Sequence, residues 1–146
     1  NADINTIGKK LLPCHADGAI MTSTTYYPLY TNNGLGRTKY GPIEAVNGST
    51  ATLCGCFRDA RISENGDNFK GYKALVVCEF PNRDVTADLT LNASINKVTI
   101  THNNTTQVVD LMSNMAPVTV GTITVTYIDG VMSLAIPSGE AALVEF

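Results

Sequence analysis

The residues of this chain best equipped for chemistry are tyrosines. Tyr26, Tyr27 and Tyr30 stand almost together, and Tyr40 follows downstream, with Asn32, Asn33 and Arg37 between them. These types suit carbohydrate binding. A tyrosine ring offers sugar C–H groups a flat apolar face and keeps a polar tip. Amide and guanidinium groups beside the rings can bond sugar hydroxyls. The competing reading is that the rings pack their segment onto the rest of the chain, because rings this large usually bury most of their area. There is no Trp, the residue with the largest stacking face.

Other chemistries find less support. His15 and His102 are the two histidines. His15 with Asp17 could orient a polar site, although a histidine in a turn usually stands in solvent. Gly-x-Ser-x-Gly is absent, and no Ser/His/Asp set has a recognisable context. Gly34-Leu-Gly36 falls short of a dinucleotide fingerprint. Two carboxylates held about 5–10 Å apart can hydrolyse a glycosidic bond. Of Asp59, Glu64, Asp67, Glu79 and Asp84, only Glu79 lies in an apolar run, and solvated or turn-capping roles fit the rest. No catalytic residue is therefore assigned, and the chain is not expected to be an enzyme.

No cofactor or metal centre is expected either. The oxygen-rich run 65–68, with Asp129, could hold a structural Ca²⁺, but EF-hand spacing is missing. Cys14, Cys54, Cys56 and Cys78 are the four cysteines; Cys54 and Cys56 share one face of a strand and are poorly placed to bond each other, though each could reach a cysteine on an adjacent strand or the facing sheet. The four cysteines are read as buried reduced thiols, with one or two disulfides as the alternative. Metal-ligand Cys pairs at the usual spacing are absent. Asn47, Asn92, Asn103 and Asn104 match the glycosylation acceptor pattern.

The 146 residues suffice for one domain with a sizeable core, 1–146. The formal net charge is −3 and no run of basic residues appears, so neither nucleic acid nor membrane is an expected partner. No apolar run approaches the ~20 residues of a membrane span. Charged residues make up 16% while Thr, Asn and Ser abound, a surface typical of secreted β proteins. The chain starts at Asn1 without Met and reads as a mature fragment or an excised domain.

The elements that must position these residues are strands. Ile4, Ile7 and Leu11 have helical spacing and Pro13 stops the run, giving a short N-terminal arm or helix. Residues 14–18 read as a turn and 19–25 as a first strand. Residues 26–42 form a long tyrosine-bearing loop. Residues 43–46 and 49–57 read as a hairpin about Asn47-Gly48. Residues 58–71 form a second polar loop. Residues 72–80 read as a central strand buried on both faces. Residues 85–91 alternate, and 97–102 with 105–111 form a hairpin about Asn103-Asn104. Residues 118–127 alternate with a parity switch at Gly121-Thr122 that suggests a β-bulge. Asp129-Gly130 predicts a type I′ turn, and 131–136 and 141–146 complete a closing three-stranded meander. About 8–9 strands at short spacing predict an all-β fold, an antiparallel β-sandwich or, failing that, a barrel.

The order of these features resembles the antiparallel β-sandwich appended to (β/α)8-barrel glycoside hydrolases. The resemblance is carried by 7–23, which looks like a segment leading out of a preceding domain, by 54–57, 74–78 and 85–91, and by 132–144 with its Pro137-Ser-Gly139 turn before the last strand. It implies a non-catalytic ancillary module of a secreted carbohydrate-active enzyme, with 1–18 entering as an arm from a preceding domain. The implied partners are a polysaccharide or the parent catalytic domain. On this reading the carbohydrate-binding residues are Tyr26, Tyr27, Tyr30, Tyr40, Asn32, Asn33 and Arg37. The alternative is a structural sandwich that stabilises a barrel without touching glycan.

Overall fold

The computed structural model describes residues 2–22, 36–48, 52–62, 69–78, 85–112 and 114–146. Helix α1 (Ala2–Leu11) leads into β1 (Cys14–Met21), β2 (Gly36–Arg37), β3 (Ile43–Gly48) and β4 (Thr52–Asp59). Then follow β5 (Tyr72–Cys78), β6 (Val85–Leu91), β7 (Lys97–His102) and β8 (Thr105–Asp110). The chain closes with β9 (Val118–Val120), β10 (Ile123–Ile128), β11 (Val131–Ile136) and β12 (Ala141–Glu145). The strands form two sheets. One has the order β2-β1-β4-β5-β12-β7-β8, the other β3-β6-β11-β10-β9. Among the described residues all strand pairings are antiparallel except β1 with β2. The fold is the all-β sandwich that the alternation predicts.

The core lies between the sheets and is supplied by alternate residues of each. Cys54, Cys56, Ala74, Val76, Val98, Ile100, Ala142 and Val144 come from the larger sheet. Ala87, Leu89, Val120, Ile123, Val125, Met132, Leu134 and Ile136 come from the smaller. Burying each large aliphatic side chain stabilises the fold by about 1.5–3 kcal/mol. Leu143 faces the other side of its sheet yet is also fully buried, so β12 is an apolar run covered on both faces. β5 sits in the middle of the larger sheet between β4 and β12, as its mostly apolar sequence without alternation predicts.

Helix α1 is tied to the larger sheet by charge as well as by Ile7, which is 6% exposed. The Lys10 ammonium donates to Thr101 (3.2 Å) and pairs with Glu145 (3.3 Å). Lys73 pairs with the other Glu145 oxygen at 2.9 Å and donates to the Lys10 carbonyl at 2.7 Å. That carbonyl lies in the last turn of the helix, where carbonyls lack an intrahelical partner and a cation is favoured, and it also accepts from the Cys14 thiol at 3.7 Å.

Several expectations are corrected. Residues 14–18 are strand, not turn: β1 starts at Cys14 and its register against β4 shifts between Ala16 and Ala19, which absorbs Gly18 as an irregularity. The arm therefore ends before residue 14. Asn47-Gly48 is no hairpin turn. Both residues are paired within β3, to Asp88 and Ala87 of β6, and β4 lies in the opposite sheet. The dipeptide allows a turn, but the β6 edge offers β3 a ladder. The parity switch at Gly121-Thr122 is a two-residue hairpin rather than a bulge, since Val120 pairs with Ile123. Gly121 has φ +60°, the first-position conformation of a type II′ turn. The final meander is split: β9, β10 and β11 share one sheet, and the 137–140 turn, closed by Glu140 N–H to Pro137 C=O at 3.1 Å, carries β12 into the other. The described strands number twelve rather than nine. The Asn103-Asn104 and Asp129-Gly130 hairpins are as read, with positive φ at all four residues.

Candidate functional site

Two of the residues selected from sequence meet at one mouth of the sandwich. Arg37 lies on β2, the two-residue edge strand beside β1. Tyr40 follows and closes a tight turn onto Ile43, with N–H···O bonds of 2.8 Å in both directions. Asp17 of β1 joins them: its carboxylate accepts the Tyr40 hydroxyl, and its backbone carbonyl accepts Arg37 Nε–H. The guanidinium carbon of Arg37 lies 5.1 Å from the centre of the Tyr40 ring, within cation–π range. Tyr72 meets Tyr40 edge-on at 5.1 Å and 71°, and Phe69 meets Tyr72 at 6.0 Å and 70°. Tyr72 opens β5 and pairs with Arg58 of β4. Both carry the inward parity of Ala74 and Cys56, but lie where the core opens to solvent.

Asp17, Arg37, Tyr40, Arg58 and Tyr72 border an open cavity of about 750 Å³. Three cations line it, Arg37, Lys39 and Arg58, with two carboxylates, Asp17 and Glu44. Each carboxylate has a donor: Tyr40 for Asp17, and the Asn92 amide at 3.3 Å for Glu44. Burial, then the hydrogen bond to Asp17, raises the Tyr40 phenol far above the ordinary tyrosine value. Burial pushes the Cys56 thiol up to about 11, against the opposing pull of Arg37. Tyr40 and Cys56 are thus both held in their neutral forms. The arrangement can grip a ligand by cations, an aromatic edge and hydrogen bonds; these two groups offer it neither a base nor a thiolate.

The structure places the sequence candidates unevenly. Arg37 is exposed at the cavity. Tyr40 is 7% exposed and belongs to the core cluster, so its ring is taken up by Arg37 and Tyr72 rather than offered to a sugar. Tyr26, Tyr27, Tyr30, Asn32 and Asn33 lie outside the described residues, as does the 65–68 run considered for Ca²⁺. That run's proposed companion, Asp129, sits in the β10–β11 turn with φ +50°. Lys39, Glu44, Arg58 and Tyr72 were not singled out from sequence. Tyr72 and Arg58 flank a polar loop, and only the β4–β5 register brings them side by side.

A second cavity of about 510 Å³ lies on the outer face of the larger sheet. Much of its charge is already matched. Arg61 grips Asp59 through two contacts of 3.0 and 2.8 Å, and Glu145 serves Lys73 and Lys10. His15 is exposed. His102 is fully buried away from both cavities' linings, 3.0 Å from the Ala141 carbonyl and 3.0 Å from the Thr122 hydroxyl. Cys14, Cys54 and Cys56 are free thiols, and burial raises both Cys54 and Cys14 above the ordinary value. Among the described residues no three His, Cys, Asp or Glu side chains converge to hold a metal ion. Comparison with known protein families, curated proteins and solved structures returned no match to the chain.

Proposed function

We propose that this chain is a non-catalytic β-sandwich module of a secreted carbohydrate-active enzyme and that it binds polysaccharide at the mouth bordered by Arg37. One observation carries the reading: the open cavity of about 750 Å³ gathers a fixed guanidinium, an aromatic edge and hydrogen-bonded carboxylates. Mixed aromatic and polar linings of this kind orient ligands rich in hydroxyls. Asp17 on β1 and Arg37 on β2 flank it, and segment 23–35, which bears Tyr26, Tyr27, Tyr30, Asn32 and Asn33, joins those two strands in the chain. Tyr40, whose phenol burial and Asp17 hold far above the ordinary value, stays neutral there, which suits holding a ligand rather than transforming it.

A panel of polysaccharides in affinity gel electrophoresis tests this. The wild-type chain is expected to be retarded by at least one glycan. Tyr26→Ala, Tyr27→Ala, Tyr30→Ala and Tyr72→Ala are expected to reduce the retardation, singly or together. Free mobility of the wild type in every glycan would leave the structural role, in which Tyr40 and Tyr72 merely close the end of the core. Release of reducing sugar by the chain alone would overturn both.

A further inference from the structure

We infer that the ligand of this mouth is an acidic saccharide, recognised through a carboxylate by the guanidinium of Arg37. The inference rests on the reading that the mouth binds glycan. It starts from where the basic residues lie. The chain has ten Lys and Arg against thirteen Asp and Glu, so cations are the minority. Three of those ten line this one cavity.

The two carboxylates of the cavity do not neutralise Arg37 or Lys39. Asp17 takes the Tyr40 hydroxyl on its carboxylate and meets Arg37 only through its backbone carbonyl. Glu44 reaches Asn92. Among the described residues neither Arg37 nor Lys39 has a carboxylate within ion-pair distance. The second cavity differs on this point, since two of its cations already hold Asp59 and Glu145.

Arg37 is also preorganised. Its Nε–H is spent on the Asp17 carbonyl and its plane is held near the Tyr40 ring. The terminal amino groups remain to donate. A planar fork fixed in this way matches the two oxygens of a carboxylate and loses little freedom on binding. Lys39 supplies a second, mobile charge beside it. A neutral sugar would leave both cations without a counter-charge. A uronate residue would engage them while its ring lay against the edge of Tyr72.

Isothermal titration with polygalacturonate, its fully methyl-esterified form, dextran sulfate and a neutral β-glucan tests the idea. Wild type is expected to bind polygalacturonate about tenfold or more tightly than the ester, which has the same backbone without the charge. Binding is expected to weaken between 0.05 M and 0.5 M NaCl, because salt screens exposed charges. Arg37→Ala is expected to weaken polygalacturonate binding about ten- to a hundredfold, the usual range for hydrogen bonds to a charged group. Arg37→Lys keeps the charge but loses the fork and is expected to fall between. Lys39→Gln, at an exposed position, is expected to lose less, and its thermal midpoint should match wild type. Equal affinity for acid and ester, a preference for neutral glucan or dextran sulfate, or full affinity in Arg37→Ala would each overturn the inference and leave glycan binding standing. Failure of wild type to bind any of the four, together with free mobility in the wider panel, would overturn the glycan reading as well.

Discussion

His102 shows what a single residue contributes once topology is known. It is closed to solvent and uses both ring nitrogens. The carbonyl of Ala141 can only accept, so Nδ1 donates to it, while Nε2 meets the Thr122 hydroxyl at 3.0 Å and lies 3.5 Å from a Glu140 carboxylate oxygen. One ring thereby ties β7 to the start of β12 and to the β9–β10 turn. Gly121 lies against it: a Cβ there would come within 2.7 Å of His102 Cδ2, at a backbone φ of +60°. His102→Ala would leave the Ala141 carbonyl and Thr122 hydroxyl unpaired and open a cavity, costing about 2–4 kcal/mol. The check is urea unfolding, with a lower midpoint and an unchanged slope. Gly121→Ala should be destabilising too, because strain and overlap add. Little of this was legible beforehand. His102 precedes an Asn-Asn turn, which reads as the exposed end of a hairpin. Only the arrival of strands from much later in the chain buries it. Arg37 and Tyr40 were legible as a pair by type and spacing. Asp17 was noticed only as a companion of His15, and its true partners depend on the β1–β2 pairing.

Elements were legible in proportion to how local their signals are. The two hairpins whose turns need positive φ at both central residues, Asn103-Asn104 and Asp129-Gly130, form as written in the sequence. Asn47-Gly48 carries the same signal but is absorbed into β3 by pairing with β6. A turn dipeptide states what the backbone can do; the competing ladder decides what it does. The end of β4 follows local chemistry again. Asp59 accepts from the Arg61 amide at 3.0 Å and grips its guanidinium, which turns the chain out of the strand. Those bonds, the Arg61 side chain first and its backbone N–H second, hold the Asp59 carboxyl well below its ordinary value of 3.8. The sign is that of a depressed acid. Its contribution is complete above about pH 4 and is lost as pH falls through the lower folded-state value. Asp59→Asn should therefore be less stable than wild type at pH 7, and its stability should fall less steeply below pH 4. Denaturant midpoints taken from pH 7 down to pH 2 check this, and parallel curves for the two proteins would refute it.

At the scale of the whole molecule, the last strand in sequence is internal to the larger sheet. β12 pairs with β5 on one side and β7 on the other, while Ala142, Leu143 and Val144 are fully buried. The larger sheet is therefore incomplete until the final residues are in place, and Glu145 then anchors both Lys10 and Lys73 beneath α1. The candidate site has the opposite character. Arg37 is exposed on a two-residue edge strand, outside the core cluster. Stability and binding should consequently separate between these two places. Leu143→Ala removes a fully buried side chain from the centre of the larger sheet and is expected to cost about 2–5 kcal/mol. In a domain of this size that lowers the thermal midpoint by roughly 4–20 °C. At temperatures where it remains folded, its affinity for polygalacturonate should equal that of wild type. Arg37→Ala should do the reverse, shifting the midpoint by no more than about 2 °C, as exposed positions usually do, while binding falls. Calorimetry and titration on the same two variants decide it. If Arg37→Ala lost as much stability as Leu143→Ala, the guanidinium above Tyr40 would be a clasp that closes the sandwich, and the mouth would owe its cations to folding rather than to a ligand.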